Sequence, residues 1–250
     1  MLPITKFPNL KSVSAKKLCT FALGGNVANL YEPQDVASLA ESLEIFSKED
    51  LPWRVLGAGS NLLLPDEGIE DVLIRLGRGF SSFVPVDTEI SVNQLLDTSF
   101  EEVSFDKARE KERVLVYGAA SLMGLSRKLS QEGLSGLEFA AGIPASLGGA
   151  VVMNAGAHGS SMSEVVERVF VMDSQGEVSV YSKSEMDFSY RHSTIKADQI
   201  VIAAELELIR KDAEEIMQER SSCLEYRKKT QPLHLPSAGS VFRNPSPQKF

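Results

Sequence analysis

Residues 142–159 read Gly142-Ile143-Pro144-Ala145-Ser146-Leu147-Gly148-Gly149-Ala150-Val151-Val152-Met153-Asn154-Ala155-Gly156-Ala157-His158-Gly159, a stretch carrying five of the chain's 18 glycines. Glycine occupies positive φ at no steric cost and lets backbone approach a ligand, and successive inward N–H groups make a nest for anionic oxygens. A second such stretch, Gly57-Ala58-Gly59-Ser60-Asn61, follows Arg54-Val55-Leu56, which reads as a short strand. Neither is a dinucleotide fingerprint: the third glycine is missing, and an apolar run and Pro65 stand where a helix should begin. No GxxxxGK[ST] occurs either. One GxG turn alone is better read as tight packing. Two glycine-rich loops in one chain, the denser running through Asn154, favour binding.

Outward from these loops, Pro33 to Asp50 places Val36, Leu39, Leu43 and Phe46 at helical spacing, with Pro33 in the first turn. Strands are expected at Leu62–Leu64 and Val72–Leu76. Residues 86–113 are rich in acids without a clean period and read as a solvated, partly helical connection. Val114–Tyr117 reads as a strand and Ser121–Glu132 as a helix ended by Gly133. Arg168–Met172 and Val178–Tyr181 flank Asp173-Ser174-Gln175-Gly176, a hairpin signal, and Ile200–Ile209 reads as a long strand. Asp212, with Glu215 three residues on, opens a polar helix to about Lys229, so a new unit starts near 211.

The 250 residues suit one large domain or two smaller ones sharing a cleft. With 26 basic and 34 acidic residues, net charge −8 and a pI near 5.1, the chain has no field to attract a phosphate backbone, which argues against nucleic acid. An anionic ligand would need local N–H groups or a few placed cations. Cys19 and Cys223 are too few and too far apart for a disulfide framework or thiolate cage, which suggests a reducing compartment. No stretch approaches the ~20 apolar residues that span a bilayer. The expectation is a cytoplasmic protein without a membrane partner.

Tyr190-Arg191-His192-Ser193 falls on a loop or strand edge, where an arginine is usually a surface charge; as a site residue its guanidinium fork would grip a carboxylate. Arg227-Lys228-Lys229 is a solvated helix end on one view and a set of diphosphate-binding cations on another. Ala238-Gly239-Ser240 is either a turn into a strand or a hydroxyl presented by a glycine. His158, His192 and His234 lie at no metal-ligand spacing, no HExxH or CxxC exists, and no metal is expected. Gly-x-Ser-x-Gly is absent, so a serine triad has little support.

Taken together, Thr20-Phe21-Ala22-Leu23-Gly24-Gly25, Leu56-Gly57-Ala58-Gly59-Ser60-Asn61-Leu62-Leu63, Gly136-Leu137-Glu138-Phe139-Ala140-Ala141-Gly142-Ile143-Pro144, Met153-Asn154-Ala155-Gly156-Ala157, Tyr190-Arg191 and Ser237-Ala238-Gly239-Ser240-Val241-Phe242-Arg243-Asn244-Pro245 resemble, in order and spacing, the UDP-N-acetylenolpyruvoylglucosamine reductase family. The resemblance implies an α+β chain: a two-subdomain FAD-binding fold of the vanillyl-alcohol oxidase type plus an α+β substrate-binding domain. It implies subdomains over 1–80 and 81–210, the second with an acidic connection at 86–113, and the start of the substrate domain at 211–250. It further implies FAD as cofactor, NADPH as hydride donor, and UDP-N-acetylglucosamine enolpyruvate as the substrate reduced to UDP-N-acetylmuramate for peptidoglycan. A monomer is expected.

By residue matching, Leu56, Gly57, Ala58, Gly59, Ser60, Asn61, Ala141, Gly142, Ile143, Gly148, Gly149, Asn154, Gly156 and Ala157 would hold FAD. Tyr190, Gly239, Arg243 and Asn244 would contact substrate. Arg191 would steady the anion formed by hydride addition, and Ser240 would protonate it. The resemblance also implies a catalytic glutamate beyond the serine motif, with no counterpart before Phe250, so a truncated substrate domain is expected. Two other activities compete: an FAD-linked oxidase of a small alcohol or sugar, and a UDP-sugar or flavin binding module without turnover.

Overall fold

The protein is described by a computed structural model covering residues 10–97, 104–240 and 242. A four-stranded sheet comes first: β1 (Lys11–Ser14), β2 (Asn26–Tyr31), β3 (Trp53–Val55) and β4 (Ile69–Ile74), in the order β1-β2-β4-β3. β4 runs parallel to both β2 and β3, and β1 is antiparallel to β2. Helix α1 (Val36–Lys48) connects β2 to β3 and buries Val36, Leu39, Leu43 and Phe46, as their spacing predicts. Its start differs from expectation. Asp35, not Pro33, opens the helix: Ser38 N donates to Asp35 Oδ1 at 2.7 Å, and Asp35 N donates to Ser38 Oγ at 3.4 Å. Leu62–Leu64 is not a strand; Leu64 instead drops into the core beside Leu18 and Leu56.

The second sheet comprises β5 (Phe83–Val86), β6 (Lys111–Tyr117), β10 (Val166–Met172), β11 (Val178–Ser182) and β12 (Ile200–Arg210), ordered β11-β10-β12-β6-β5, with β7 (Leu134–Ser135) paired to the end of β12. Its neighbours are antiparallel. Strand alternation sends the two faces to different cores. Phe170 and Met172 join Leu115, Ile202 and the buried side of α1, so α1 lies between the two sheets. Val169, Val171, Val114 and Val116 face α3 (Leu122–Gln131) and α4 (Leu147–Val152) on the other side. Gly133 ends α3 at φ +72°, the left-handed residue its glycine permits. Gly176 closes the β10–β11 hairpin at φ +82°. Two short strands, β8 (Gly156–Ala157) and β9 (Ser160–Ser161), pair ahead of α5 (Met162–Val165). Asp212 caps α6 (Ala213–Thr230), accepting from Glu214 N and Glu215 N, and α6 packs on α3 and on the 3-10 turn Glu138–Gly142.

The acidic stretch is more ordered than its composition suggests; its residues 98–103 lie outside those described. β5 ends in it, α2 (Val92–Asp97) follows, Ile90 and Leu95 are buried, and β6 begins at Lys111 rather than Val114. A buried clamp fixes it to the sheet. Ile90 N donates to Glu205 Oε1 at 2.9 Å, while Arg168 donates from Nη2 to Ile90 O at 3.0 Å and lies 3.3 Å from Glu205 Oε1. Burial raises the Glu205 carboxyl above its ordinary range and outweighs the Ile90 N–H and Arg168, which pull it down.

The native state therefore binds a proton at Glu205 more readily than the unfolded chain, and this group's contribution to stability falls as pH rises from the ordinary carboxylate range through the raised value. Glu205→Gln should flatten that slope in urea titrations at stepped pH; an unchanged slope would show that Glu205 does not govern it.

Candidate active site

The turn after β3 is set by what a side chain would strike. Gly59 has φ +69°, and a Cβ on it would lie 1.9 Å from the carbonyl oxygen of Leu18. Thr20 N donates to Gly59 O at 3.0 Å, so the turn folds onto the 18–20 loop. The five consecutive backbone N–H groups from Gly57 to Asn61 then donate to no acceptor among the described residues. Such a row of open donors is available to an anion or to water.

The long glycine-rich stretch meets this turn at the start of α4. A Cβ at Gly57 would come 2.8 Å from Ser146 Oγ, and Gly149 Cα lies 3.9 Å from the same point. The helix itself has few donors to offer: Leu147 N donates to Ala120 O, Gly148 N to Gly118 O, and Gly149 N to the capping Ser146 Oγ. Gly148 packs against the sheet, where a Cβ would approach Gly118 O and Val201 O at 3.2 Å. Leu56, Ala141 and Gly148 are buried. Gly57, Gly149, Gly142 and Ile143 are half-buried, while Ala58 and Asn61 are exposed.

Asn154, buried at φ +39°, ties the stretch to its neighbours. Its Nδ2 donates to Ser189 O at 3.0 Å and its Oδ1 accepts from Ser163 N at 3.0 Å, so its side chain is committed to the fold. Ser193 Oγ donates to Val152 O at 2.7 Å. Between Ser189 and His192, which exchange backbone N–H···O bonds, Arg191 sits at φ +57°. Positive φ on a side-chain-bearing residue costs about 1–3 kcal/mol and collects at functional sites. Arg191 Nη2 donates to Gly156 O at 3.2 Å, and its guanidinium lies 5.0 Å from the Tyr190 ring centroid. Arg191 therefore meets the glycine-rich stretch directly.

The serine motif reaches the nest by a route sequence reasoning missed. Thr20 Oγ1 donates to Ser237 O at 2.6 Å and Ser237 N donates to Thr20 O at 3.2 Å, across 217 residues of chain. Gly239, at φ +79°, lies against the first turn: its Cβ would be 3.3 Å from Asn61 Oδ1 and 3.6 Å from Ser60 O. Exposed Ser240 follows it. Arg243 and Asn244 lie outside the described residues. Among the described residues no group of His, Cys, Asp or Glu is arranged to hold a metal, and no helix is long and apolar enough to cross a membrane.

The FAD binding domain family matches residues 27–182. A UDP-N-acetylenolpyruvoylglucosamine reductase of Anoxybacillus flavithermus is 41% identical over 231 residues, 92% of this chain and 68% of that protein. The crystal structure of UDP-N-acetylenolpyruvylglucosamine reductase from Thermus caldophilus superimposes with a TM-score of 0.74 at 31% identity, covering 94% of this chain and 75% of that one. The chain belongs to the UDP-N-acetylenolpyruvoylglucosamine reductase family. A glucose dehydrogenase, Phl p 4.0202, shares the fold alone, at 15% identity and a TM-score of 0.54 over 80% of this chain and 39% of that one. The α+β fold of the FAD-binding type thus stands as expected.

The residues of this reductase-family chain fit FAD on their own chemistry. The five N–H groups of 57–61, which donate to no acceptor among the described residues, are a donor set of the kind a dinucleotide's diphosphate takes.

Gly59→Ala should therefore unfold the turn or displace the 18–20 loop, with loss of FAD retention. Gly159→Ala, also at positive φ but with nothing within 4 Å, should cost only the left-handed strain of roughly 1–2 kcal/mol. Equal effects of the two on thermal stability and flavin content would show that the Leu18 contact is unimportant.

Proposed function

We propose that this protein reduces the enolpyruvyl ether of UDP-N-acetylglucosamine to UDP-N-acetylmuramate with NADPH, as a step of peptidoglycan precursor synthesis. It works in the cytoplasm as a monomer, with neither nucleic acid nor membrane as partner. We further propose that 1–80 and 81–210 form the two FAD-binding subdomains and that 211–250 opens the substrate domain. The observation that supports the reading is the Thr20–Ser237 tie, with Gly239, the residue before Ser240, lying against Ser60 and Asn61 of the turn that offers the open N–H groups.

FAD held in this chain, with NADPH as reductant, would supply hydride chemistry to the enolpyruvyl double bond. Leu56 to Asn61, Ala141, Gly142, Ile143, Gly148, Gly149, Asn154, Gly156 and Ala157 would hold it, the open N–H groups of Gly57 to Asn61 meeting its diphosphate. Hydride addition leaves carbanion charge beside the substrate carboxylate. Arg191, pre-oriented by its Gly156 hydrogen bond and by stacking on Tyr190, meets that charge without reorganising. Ser240 Oγ gives the α carbon its proton; a hydroxyl suffices because the anion is a strong base and the transfer is short. Tyr190, Gly239, Arg243 and Asn244 contact the substrate.

The purified protein should be yellow, and NADPH should bleach its flavin absorbance. Arg191→Ala and Ser240→Ala should keep FAD and its reduction by NADPH yet slow substrate reduction by about 10²–10³-fold and 10²–10⁴-fold, respectively. Colourless protein that takes up no FAD, or oxygen consumption without response to NADPH, would overturn the assignment; normal turnover of Ser240→Ala would remove its proton-donor role.

A further inference from the structure

Ser193, two residues past Arg191, has no part in the roles above, yet it is buried at the base of a turn whose tip is open: Ser193 is 6% exposed and Tyr190 50%. The turn closes at its base, where Thr194 N donates to Met186 O at 2.8 Å, and at its tip, where Ser189 and His192 exchange backbone hydrogen bonds. Within it Arg191 holds its left-handed φ of +57°, which a residue with a side chain keeps only when its surroundings impose it. These backbone closures shape the turn but do not orient it against the rest of the protein.

Three side-chain contacts set that orientation, and all fall on alternate residues of one segment of the glycine-rich stretch. Ser193 Oγ donates to Val152 O at 2.7 Å, Asn154 Nδ2 donates to Ser189 O at 3.0 Å, and Arg191 Nη2 donates to Gly156 O at 3.2 Å. Ser189 and Ser193 stand two residues before and two residues after Arg191. The arginine's backbone is therefore gripped on both sides by the same segment that its guanidinium touches.

A plain alternative is that Ser193 only caps a helix. Val152 ends α4, and the last carbonyls of a helix have no partner within it. That explains the acceptor. It does not explain the donor's place in the chain: any hydroxyl or N–H would satisfy Val152 O, whereas this one comes from the residue two past a strained arginine, opposite Asn154's hold on the residue two before it.

We propose that Ser193 is a positioning residue for Arg191: its hydrogen bond to Val152 O, opposed by that of Asn154 to Ser189 O, locks the left-handed turn and so keeps the guanidinium at Gly156 O. This rests on the function proposed above, in which Arg191 meets the negative charge left by hydride addition. A guanidinium freed to move still pairs with a carboxylate in the ground state. It no longer meets charge that appears only in the transition state without first reorganising, so the loss falls on rate and not on substrate affinity.

The test compares Ser193→Ala, which removes the donor, with Ser193→Thr, which keeps a hydroxyl, alone and combined with Arg191→Ala. Stopped-flow absorbance on each folded, FAD-loaded protein follows two steps: bleaching of the flavin by NADPH, and its recovery on mixing the reduced protein with UDP-N-acetylglucosamine enolpyruvate. Ser193→Ala should keep its FAD and the first step, and should slow the second by about tenfold at saturating substrate, the loss of one hydrogen bond. Ser193→Thr should restore the second step, and in the Arg191→Ala background Ser193→Ala should change it by less than about twofold. A wild-type second step in Ser193→Ala, equal slowing of both steps, or an undiminished effect in the Arg191→Ala background would overturn the proposal and leave Ser193 a cap. Nitrogen-15 NMR of the Arg191 Nε–H, assigned by its loss in Arg191→Lys, needs neither flavin nor turnover. Ser193→Ala should shift this signal and increase its picosecond-to-nanosecond mobility; a signal unchanged in position and relaxation would equally overturn the proposal. If Ser193→Ala does not fold, Ser193→Cys, whose thiol is a weak donor, is judged by the same outcomes. A wild-type protein that takes up no FAD or leaves the substrate unreduced would defeat the function proposed above, and the NMR result would then decide the role of Ser193 by itself.

Discussion

The contact between Gly59 and the carbonyl of Leu18 is the constraint on which the site depends. With no Cβ, the chain turns back at positive φ and seats Gly59 O on Thr20 N, while the N–H groups of 57–61 donate to no acceptor among the described residues. The 18–20 loop, Ser146 and the Ser237 tail hold the turn on its other sides, and Ala58 and Asn61 remain exposed.

The sheet supplies rigidity behind this turn. β12 is buried on both faces over most of its length and shares its two cores with α1 on one side and α3 and α4 on the other, so neither layer moves without exposing apolar area. Gly148 packs on Gly118 and Val201 at the sheet's end, and α4 is thereby fixed relative to β12. Left-handed residues cluster on this frame. Asn154, His158 and Arg191 all have positive φ, and Asn154 and Arg191 are each held by hydrogen bonds between the glycine-rich stretch and the 189–193 turn. Strain of that kind survives only where packing over-determines it.

Local periodicity made α1, α3, the β10–β11 hairpin, β12 and α6 legible, since each carries its own spacing and end signals. The acidic stretch misled because its order comes from elsewhere: Ile90 is fixed by Glu205, 115 residues away, and nothing within 86–113 announces that partner. Leu62–Leu64 misled because an apolar run signals burial rather than strand pairing: Leu64 is buried beside Leu18 and Leu56 without joining a sheet. In the site, the glycine clusters were visible as clusters. What each glycine packs on was not: Gly148 lies against Gly118 O and Val201 O and Gly57 against Ser146 Oγ, yet the two look alike in sequence. The Thr20–Ser237 tie joins two ordinary hydroxyl residues across the chain and left no mark that reading alone would find.

A chain of net charge −8 that binds anions must resolve a contradiction at close range. Long-range attraction is unavailable, and screening at physiological salt would blunt it beyond about 8 Å in any case. Backbone dipoles in a glycine turn answer this without adding formal charge, and they add geometry, because each N–H points at one oxygen. Buried arginines answer it differently, gaining strength from the low dielectric that makes them costly when alone. Exposed lysines such as Lys228 and Lys229 do neither, being hydrated and screened. The turn at 57–61, with open N–H groups and no formal charge, is of the first kind.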